Sequence, residues 1–436
     1  MQWGLLGPAA LAGERRTRTL GIGRAVRRFN ELAVPGTGGV WFGKQVFLAI
    51  LGVRVAELAR DARMPVGNIE CANAIEALAC WLGYNESKWA PHPRLRGINT
   101  LPREHALDFR TLRRPGFYVS QPTRMAVGQS LMPLGLADGR SRRFNSLATT
   151  EAGRNLIALA CGDSGRHDIV TQLLNWVLGK SVTWPPRFVK LLSPCVPLTV
   201  AARGLLHSQF ILGSEKEDGT HKDRRRAAMR WVDDLRSHPP SGPLGWEDRP
   251  AAIVDDAHWK DLQAGAQLMA CRAQAIVVLD ELERKLALFP KETLRVEEAA
   301  GILGGELADL KVAADRYLSF SHPDADAMAF GRECALPSTS DRLEHLLRRD
   351  DRVLRLVARE VKSGPAFRRA MRNDNASDPA LSADPEDAGV SDGIIDWPAN
   401  LSFRVRNLYV LNRDLLEEPN AMRNETTNQI LVDAQL

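Results

Sequence analysis

The stretch YVSQPTRMAVGQSLMPLGLADGRSRRFNSLATTEAGR, residues 118–154, contains the strongest structural signal in the chain. After a polar start, its helical pattern ends at Leu134-Gly135-Leu136. A basic turn and a short strand-like run follow, and Asp138-Gly139 suits a hairpin turn. Thr149-Thr150-Glu151 is then typical of the capped start of a helix. This order predicts a helix, a β-hairpin and a second helix.

These features resemble the wing half of winged helix-turn-helix proteins of the MarR and PadR kind, over about residues 116–160. The resemblance implies a protein that binds double-stranded DNA, with the wing against phosphates or in a minor groove. Pro133 lies inside the expected recognition helix, so we expect that helix to be kinked or shortened. The expected DNA-binding residues are Arg140, Arg142 and Arg143 on the wing, and Ser120, Gln121, Thr123 and Arg124 at the helix start.

A second helix-turn-helix layout lies upstream, over residues 53–82. Two helical patterns are separated by a break at Met64-Pro65-Val66-Gly67. Ala56-Glu57-Leu58-Ala59 resembles the first helix of many bacterial DNA-binding domains. The second helix begins without an Arg or Lys to meet phosphate, and a buried helical hairpin has the same apolar pattern. The sequence leaves both interpretations open.

The segment Gly38–Lys44 has the G-x-x-x-x-G-K spacing of a phosphate-binding loop. Its interior, residues 40–42, is bulky, and Gln45 stands where such a loop needs a Ser or Thr for magnesium. The apolar run before Asp280-Glu281 belongs to a helical pattern and not to the end of a strand. We therefore expect a structural turn and no nucleotide or other cofactor.

Composition sets broader limits. The chain has 436 residues, of which 44% are hydrophobic and 25% charged, with a formal net charge of +5, so we expect several globular domains. Six cysteines without a C-x-x-C pair predict neither a zinc knuckle nor a disulfide framework. The longest apolar runs are shorter than a membrane span, and Glu14-Arg15-Arg16-Thr17-Arg18 interrupts any signal-peptide pattern. We expect a cytoplasmic protein that does not bind membranes.

Helical periodicity dominates, for example over residues 259–288, 297–317 and 342–361, where we expect continuous helices. The sequence predicts a mainly α protein with N-terminal helix-turn-helix and winged-helix modules, a small β-wing and a large helical region. Residues 372–398 are acidic and nearly lack apolar side chains, which is typical of a linker. The predicted segments are an N-terminal helix-turn-helix-like domain (1–105), a winged-helix module (106–165), a helical central region (166–371), the acidic linker (372–398) and a C-terminal segment (399–436).

Two further groups of residues are candidates for function. Arg224, Arg225 and Arg226 form a basic run at the start of a helix, which fits either a second phosphate contact or a solvated face. Asp255, Asp256 and His258 fit a metal-dependent nuclease, but helix capping accounts for the two carboxylates, so we predict no metal site.

The sequence thus favours a non-enzymatic DNA-binding subunit that contacts duplex DNA largely through phosphate. Because the chain is large for a simple repressor, we expect protein partners in a bacterial DNA-transacting complex, such as one for antiviral or plasmid defence. Three alternatives remain: a kleisin-like interaction scaffold, a transcriptional regulator and a cryptic metal-dependent nuclease.

Overall fold

The computed structural model describes residues 18–103, 108–114, 116–162, 166–289, 292–367 and 394–417. In these ranges the protein is mainly helical with a small β-hairpin, which confirms the predicted fold class. The helices are α1 Gly23–Ala33, α2 Gly43–Asp61, α3 Asn68–Glu86, α4 Phe109–Leu112, α5 Arg124–Val127, α6 Glu151–Cys161, α7 Arg166–Val177, α8 Pro186–Leu192, α9 Val200–Leu212, α10 Gly219–Ser237, α11 Asp256–Leu286, α12 Val296–Ile302, α13 Gly304–Leu318, α14 Ala325–Cys334, α15 Thr339–Asp350 and α16 Phe403–Leu416; the strands are β1 Ala137–Gly139, β2 Leu147–Thr149, β3 Thr293–Arg295, β4 Leu354–Val357 and β5 Glu360–Ser363.

The chain divides into two compact units, each built from segments that are distant in sequence. This grouping divides the chain differently from the five predicted segments, because the predicted central region contributes to both units and α16 belongs with the N-terminal helices. We call them the wing unit (residues 31–255, 389–396 and 403–436) and the sheet unit (residues 1–30, 256–388 and 397–402).

Helices α2 and α3 form a hairpin inside the wing unit. The break between them covers residues 62–67, where the sequence predicted it. Fourteen of the 19 residues of α2 and thirteen of the 19 residues of α3 are buried. A helix with so little free surface does not fit into a DNA groove, so the structure favours the buried-hairpin interpretation of this motif.

The expected recognition helix before the wing is nearly absent. Only Arg124–Val127 is helical, and turns continue to Gly135. Gly135 has a φ of +69°, a left-handed conformation that ends helical structure, and Pro133 has no N–H to donate. The helix that the sequence predicted up to Leu134 is therefore shortened to one turn, as expected from Pro133.

The predicted β-hairpin is present. Strands β1 and β2 pair antiparallel, with Ala137 opposite Thr149 and Gly139 opposite Leu147. Asp138 and Gly139 lie in β1 and not in the turn, so that detail of the prediction is wrong. The predicted capped start of α6 is confirmed, and of the two threonines there the cap is Thr150, whose side chain accepts a hydrogen bond from the Gly153 N–H.

The sheet unit contains α11 to α15 and a three-stranded antiparallel sheet in the order β3-β5-β4. The sequence predicted one helix over 342–361, but α15 ends at Asp350 and a strand hairpin follows. Ala358 and Arg359 form its tight turn with φ values of +49° and +62°. The helix predicted over 297–317 is interrupted at Leu303, between α12 and α13, where glycines flank the break.

Helix α11 includes Asp280 and Glu281 in its interior, which confirms that this carboxylate pair does not end a strand. It is also long and apolar enough over one 18-residue window, with a mean hydropathy of 1.2, to pass a composition test for a membrane span. Half of that window is buried inside the protein, and the core helix of a soluble protein passes the same test. Of the predicted acidic linker, residues 372–393 lie outside the described residues.

Candidate nucleic-acid interface

The wing loop, residues 140–146, joins β1 to β2 and has a defined conformation. Ser146 Oγ lies 2.8 Å from the backbone carbonyl oxygens of both Ser141 and Arg143. It also lies 2.9 Å from Ser141 Oγ. The Phe144 side chain is only 9% exposed and packs into the core. The loop is therefore folded back on itself around one apolar anchor.

The start of α3 holds this loop in place. Asn68 Nδ2 donates hydrogen bonds to the carbonyl oxygens of Phe144 and Leu147, at 2.9 and 2.8 Å. In return, Asn145 Oδ1 accepts a hydrogen bond from the Ile69 N–H at 2.9 Å. Because Asn68 is fully buried, its two hydrogen bonds to the wing are shielded from competing water.

The strands of the hairpin are anchored separately. Thr149 Oγ1 donates to Glu57 Oε2 on α2 at 2.7 Å. Asp138 accepts a hydrogen bond from Lys216, which is the main reason that the pKa of this carboxyl lies below its usual range. The β2 end of the wing is thus anchored on α2, while the β1 end carries an exposed ion pair with Lys216.

The three wing arginines, Arg140, Arg142 and Arg143, are all exposed. In the part of the chain that the structure describes, no carboxylate pairs with any of them. Each guanidinium therefore keeps its charge and its five N–H donors for an external acceptor. A rigid loop also loses little conformational entropy when such an acceptor binds.

The group expected at the start of the recognition helix serves mainly to pack α5 on α3. Thr123 donates to the Glu76 carboxylate from its N–H, at 2.8 Å, and from its hydroxyl, at 2.7 Å. Arg124 Nε donates to Asn73 Oδ1 at 2.6 Å. Since α5 has only four residues, this segment offers no helix end to a phosphate. Of the other two expected contacts, Ser120 is exposed and Gln121 is half-buried.

The basic run of α10 is not a free cationic face. Arg225 has no exposed surface, and its guanidinium binds the Glu217 carboxylate and the Phe210 carbonyl oxygen. Arg224 is 8% exposed and lies 3.7 Å from a carboxylate oxygen of Asp255. We therefore correct the expectation that Arg224 and Arg225 contact DNA. Arg226 is half-buried and pairs with Asp223 at 3.0 Å.

Helical spacing contained the signal for this burial. Arg225 is followed by Met229 and Val232, four and seven residues later, and all three lie on the buried face of α10. The prediction counted the positive charges in the run and did not consider which face of the helix each arginine lies on. Sequence analysis also missed Asn68 and Asn145, because their roles depend on contacts between segments about 76 residues apart.

The segment Gly38–Lys44 is a packing turn, as expected. Gly38 has a φ of +57°, and a Cβ there would lie 2.1 Å from the Ala126 carbonyl oxygen, so only glycine fits. Gly39 N–H donates to that same oxygen at 3.0 Å. Lys44 is 2% exposed, and its ammonium group donates to the Leu191 carbonyl oxygen at 2.8 Å. Burial lowers the pKa of Lys44 to about 7.

The candidate nuclease residues lie at the start of α11. Asp256 lies in the first turn of α11, and His258 is fully buried. Within the described ranges, no group of three or more His, Cys, Asp or Glu side chains is arranged to hold a metal ion.

Comparisons of the chain with protein-family models, curated proteins and solved structures gave no match. The likeness to winged helix-turn-helix proteins therefore rests on the residues of the wing and stays a prediction.

Proposed function

We propose that the chain is a non-enzymatic DNA-binding subunit, which contacts duplex DNA through its backbone phosphates and acts with protein partners in a cytoplasmic DNA-transacting complex. The observation that carries this proposal is the wing: three exposed arginines without carboxylate partners on a loop that hydrogen bonds to α3 hold in place. Arginine forms short, charge-assisted and often bidentate hydrogen bonds with phosphate oxygens.

The same geometry favours binding with little sequence preference. Base reading needs an element in the major groove, whereas α3 is a core helix and α5 has one turn. Phosphate contacts fix a protein on the duplex but do not distinguish sequences. We therefore expect similar affinities for random and selected duplexes.

The test replaces all three wing arginines together, as Arg140→Ala, Arg142→Ala and Arg143→Ala. Because these side chains are exposed, the free energy of unfolding should change by about 0.5 kcal/mol or less. Each lost phosphate contact releases about one fewer counterion, so the log-log salt slope of binding should decrease by about 3. Fluorescence anisotropy of a labelled duplex at several salt concentrations measures both affinity and slope.

The matched control removes exposed cations elsewhere in the wing unit, through Lys190→Ala and Arg230→Ala. We expect it to keep the wild-type slope. The proposal is overturned if the triple variant keeps both wild-type affinity and wild-type slope. It is also overturned if that variant binds DNA normally but loses a protein partner, which is the result that the interaction-scaffold alternative predicts.

A further inference from the structure

A second basic element lies directly against the wing loop. It is the α2–α3 turn, residues 60–67, which includes the last residues of α2. A Cβ on Gly67 would lie 3.2 Å from Asn145 Oδ1, so the turn and the loop are in contact. The Asn145–Ile69 hydrogen bond is formed at the same place.

Two arginines lie in this turn, Arg60 and Arg63, and both are exposed. Arg60 Nη1 donates to Asn68 Oδ1 at 2.9 Å and to the Val66 carbonyl oxygen at 3.2 Å. Within the described parts of the chain, neither arginine pairs with a carboxylate. Arg63 has a φ of +63°, an uncommon conformation for a residue with a side chain, and its N–H donates to the Arg60 carbonyl oxygen.

One side chain joins this turn to the wing. Asn68 accepts from Arg60 through Oδ1 and donates to the Phe144 and Leu147 carbonyl oxygens through Nδ2. The Arg60 guanidinium is therefore one amide group away from the backbone of the wing. Because Asn68 is buried, the distance between the two basic elements is fixed before any ligand binds.

Acidic residues near the turn only partly offset this charge. Asp61 is exposed, while Glu70 is half-buried, accepts a hydrogen bond from the Gly67 N–H and lies 3.6 Å from Arg113. The Ile69 N–H already donates to Asn145, so side-chain cations rather than the helix start supply the donors. A set of exposed guanidinium groups on two elements in contact, with little compensating charge, fits a polyanion.

We propose that the α2–α3 turn and the wing form one phosphate-binding surface, in which Arg60 and Arg63 bind backbone phosphates of the same duplex DNA that the wing contacts. This inference rests on the proposed function. In this proposal, the helix-turn-helix motif contacts DNA with the turn between α2 and α3, and not with α3 itself.

The experiment measures salt slopes of duplex binding for the full chain with a random-sequence duplex. The double variant Arg60→Ala and Arg63→Ala should lower the slope by about 2, and its combination with the three wing changes should lower it by about 5. The control, Arg60→Lys with Arg63→Lys, keeps both charges and should keep the wild-type slope. The single change Arg63→Ala breaks no side-chain hydrogen bond that the structure records and should lower the slope by about 1, which separates lost contacts from misfolding.

The outcomes separate the two proposals. If the wing variant loses slope while both Ala variants of the turn keep the wild-type slope, this inference is overturned and the proposed function stands. If the wing variant keeps both the wild-type affinity and the wild-type slope, the proposed function fails, and the single shared surface fails with it. A slope that decreases by about 2 for the turn, 3 for the wing and 5 for both supports the shared surface.

Discussion

Among single residues, Lys44 is buried in a way that should make the stability of the protein depend on pH. Its ammonium group is enclosed by the wing unit, and the loss of hydration lowers its pKa from 10.5 to about 7, although Asp414 partly opposes this shift. Between pH 7 and 10.5 the unfolded chain therefore holds a proton at Lys44 that the folded chain lacks. The free energy of unfolding therefore rises with pH over this range, by at most about 1.4 kcal/mol per pH unit. This stabilisation is lost again as the pH falls to 7.

Replacement of Lys44 by Met tests this sign. The variant also loses the hydrogen bond to the Leu191 carbonyl oxygen, at a cost of about 1 kcal/mol that does not depend on pH. Wild-type stability minus variant stability should therefore increase from pH 7 to pH 9, as measured by urea unfolding. A constant difference over this range would show that the lysine stays charged when buried.

At the scale of elements, the anchoring of the wing on α3 determines how well the loop is ordered. In Asn68→Asp, the donor amide is replaced by an oxygen that faces the Phe144 and Leu147 carbonyl oxygens. An unsatisfied buried acceptor costs about 1–3 kcal/mol, so opening of the loop should become about fivefold to a hundredfold more frequent. Hydrogen exchange at the Ser146 and Leu147 amides, both bonded inside the loop, measures this opening.

Asn73→Asp is the matched control on the same helix. Asn73 uses only its oxygen in the contact with Arg124, and an aspartate keeps that acceptor. We expect unchanged exchange in the wing loop for this variant. Equal exchange in the two variants would contradict the role of Asn68 as the anchor.

Elements whose signals are local were predicted from sequence. The break before α3 and the Thr150 cap depend on residues within one or two turns of the chain, and both are confirmed. The hairpin β4–β5 was missed because Ala358 and Arg359 adopt left-handed φ values that usually require Gly or Asn. For the site, exposure of the wing arginines followed from their place in a polar turn. Helical spacing indicated the buried face on which Arg225 lies, but its partners, Glu217 and the Pro35 carbonyl oxygen, could not be predicted because they lie outside α10.

For the whole molecule, the main departure from the sequence prediction is the position of the C-terminal helix. We expected residues 399–436 to form a separate segment after a linker, yet α16 packs on α2, α9 and α10 within the wing unit. Eleven of its 14 residues are buried, Asn407 and Asp414 among them. Asp414 accepts a hydrogen bond from the Gly43 N–H at 2.8 Å and pairs with Arg94 at 2.7 Å. The wing unit therefore needs α16 to complete its core.

This dependence predicts that a charge in α16 unfolds the wing unit far from the site of the change. Leu411 is fully buried, so Leu411→Asp should cost several kcal/mol, while Leu416→Asp, at a position that is 39% exposed, should be tolerated. Cys71 and Cys80 on α3 report the result, because burial raises the pKa of each thiol to about 12 and slows its alkylation. Mass spectrometry should find both thiols alkylated in Leu411→Asp and protected in Leu416→Asp and in the wild type. Protection of both thiols in Leu411→Asp would mean that α2 and α3 fold without α16, and that the C-terminal segment is separate after all.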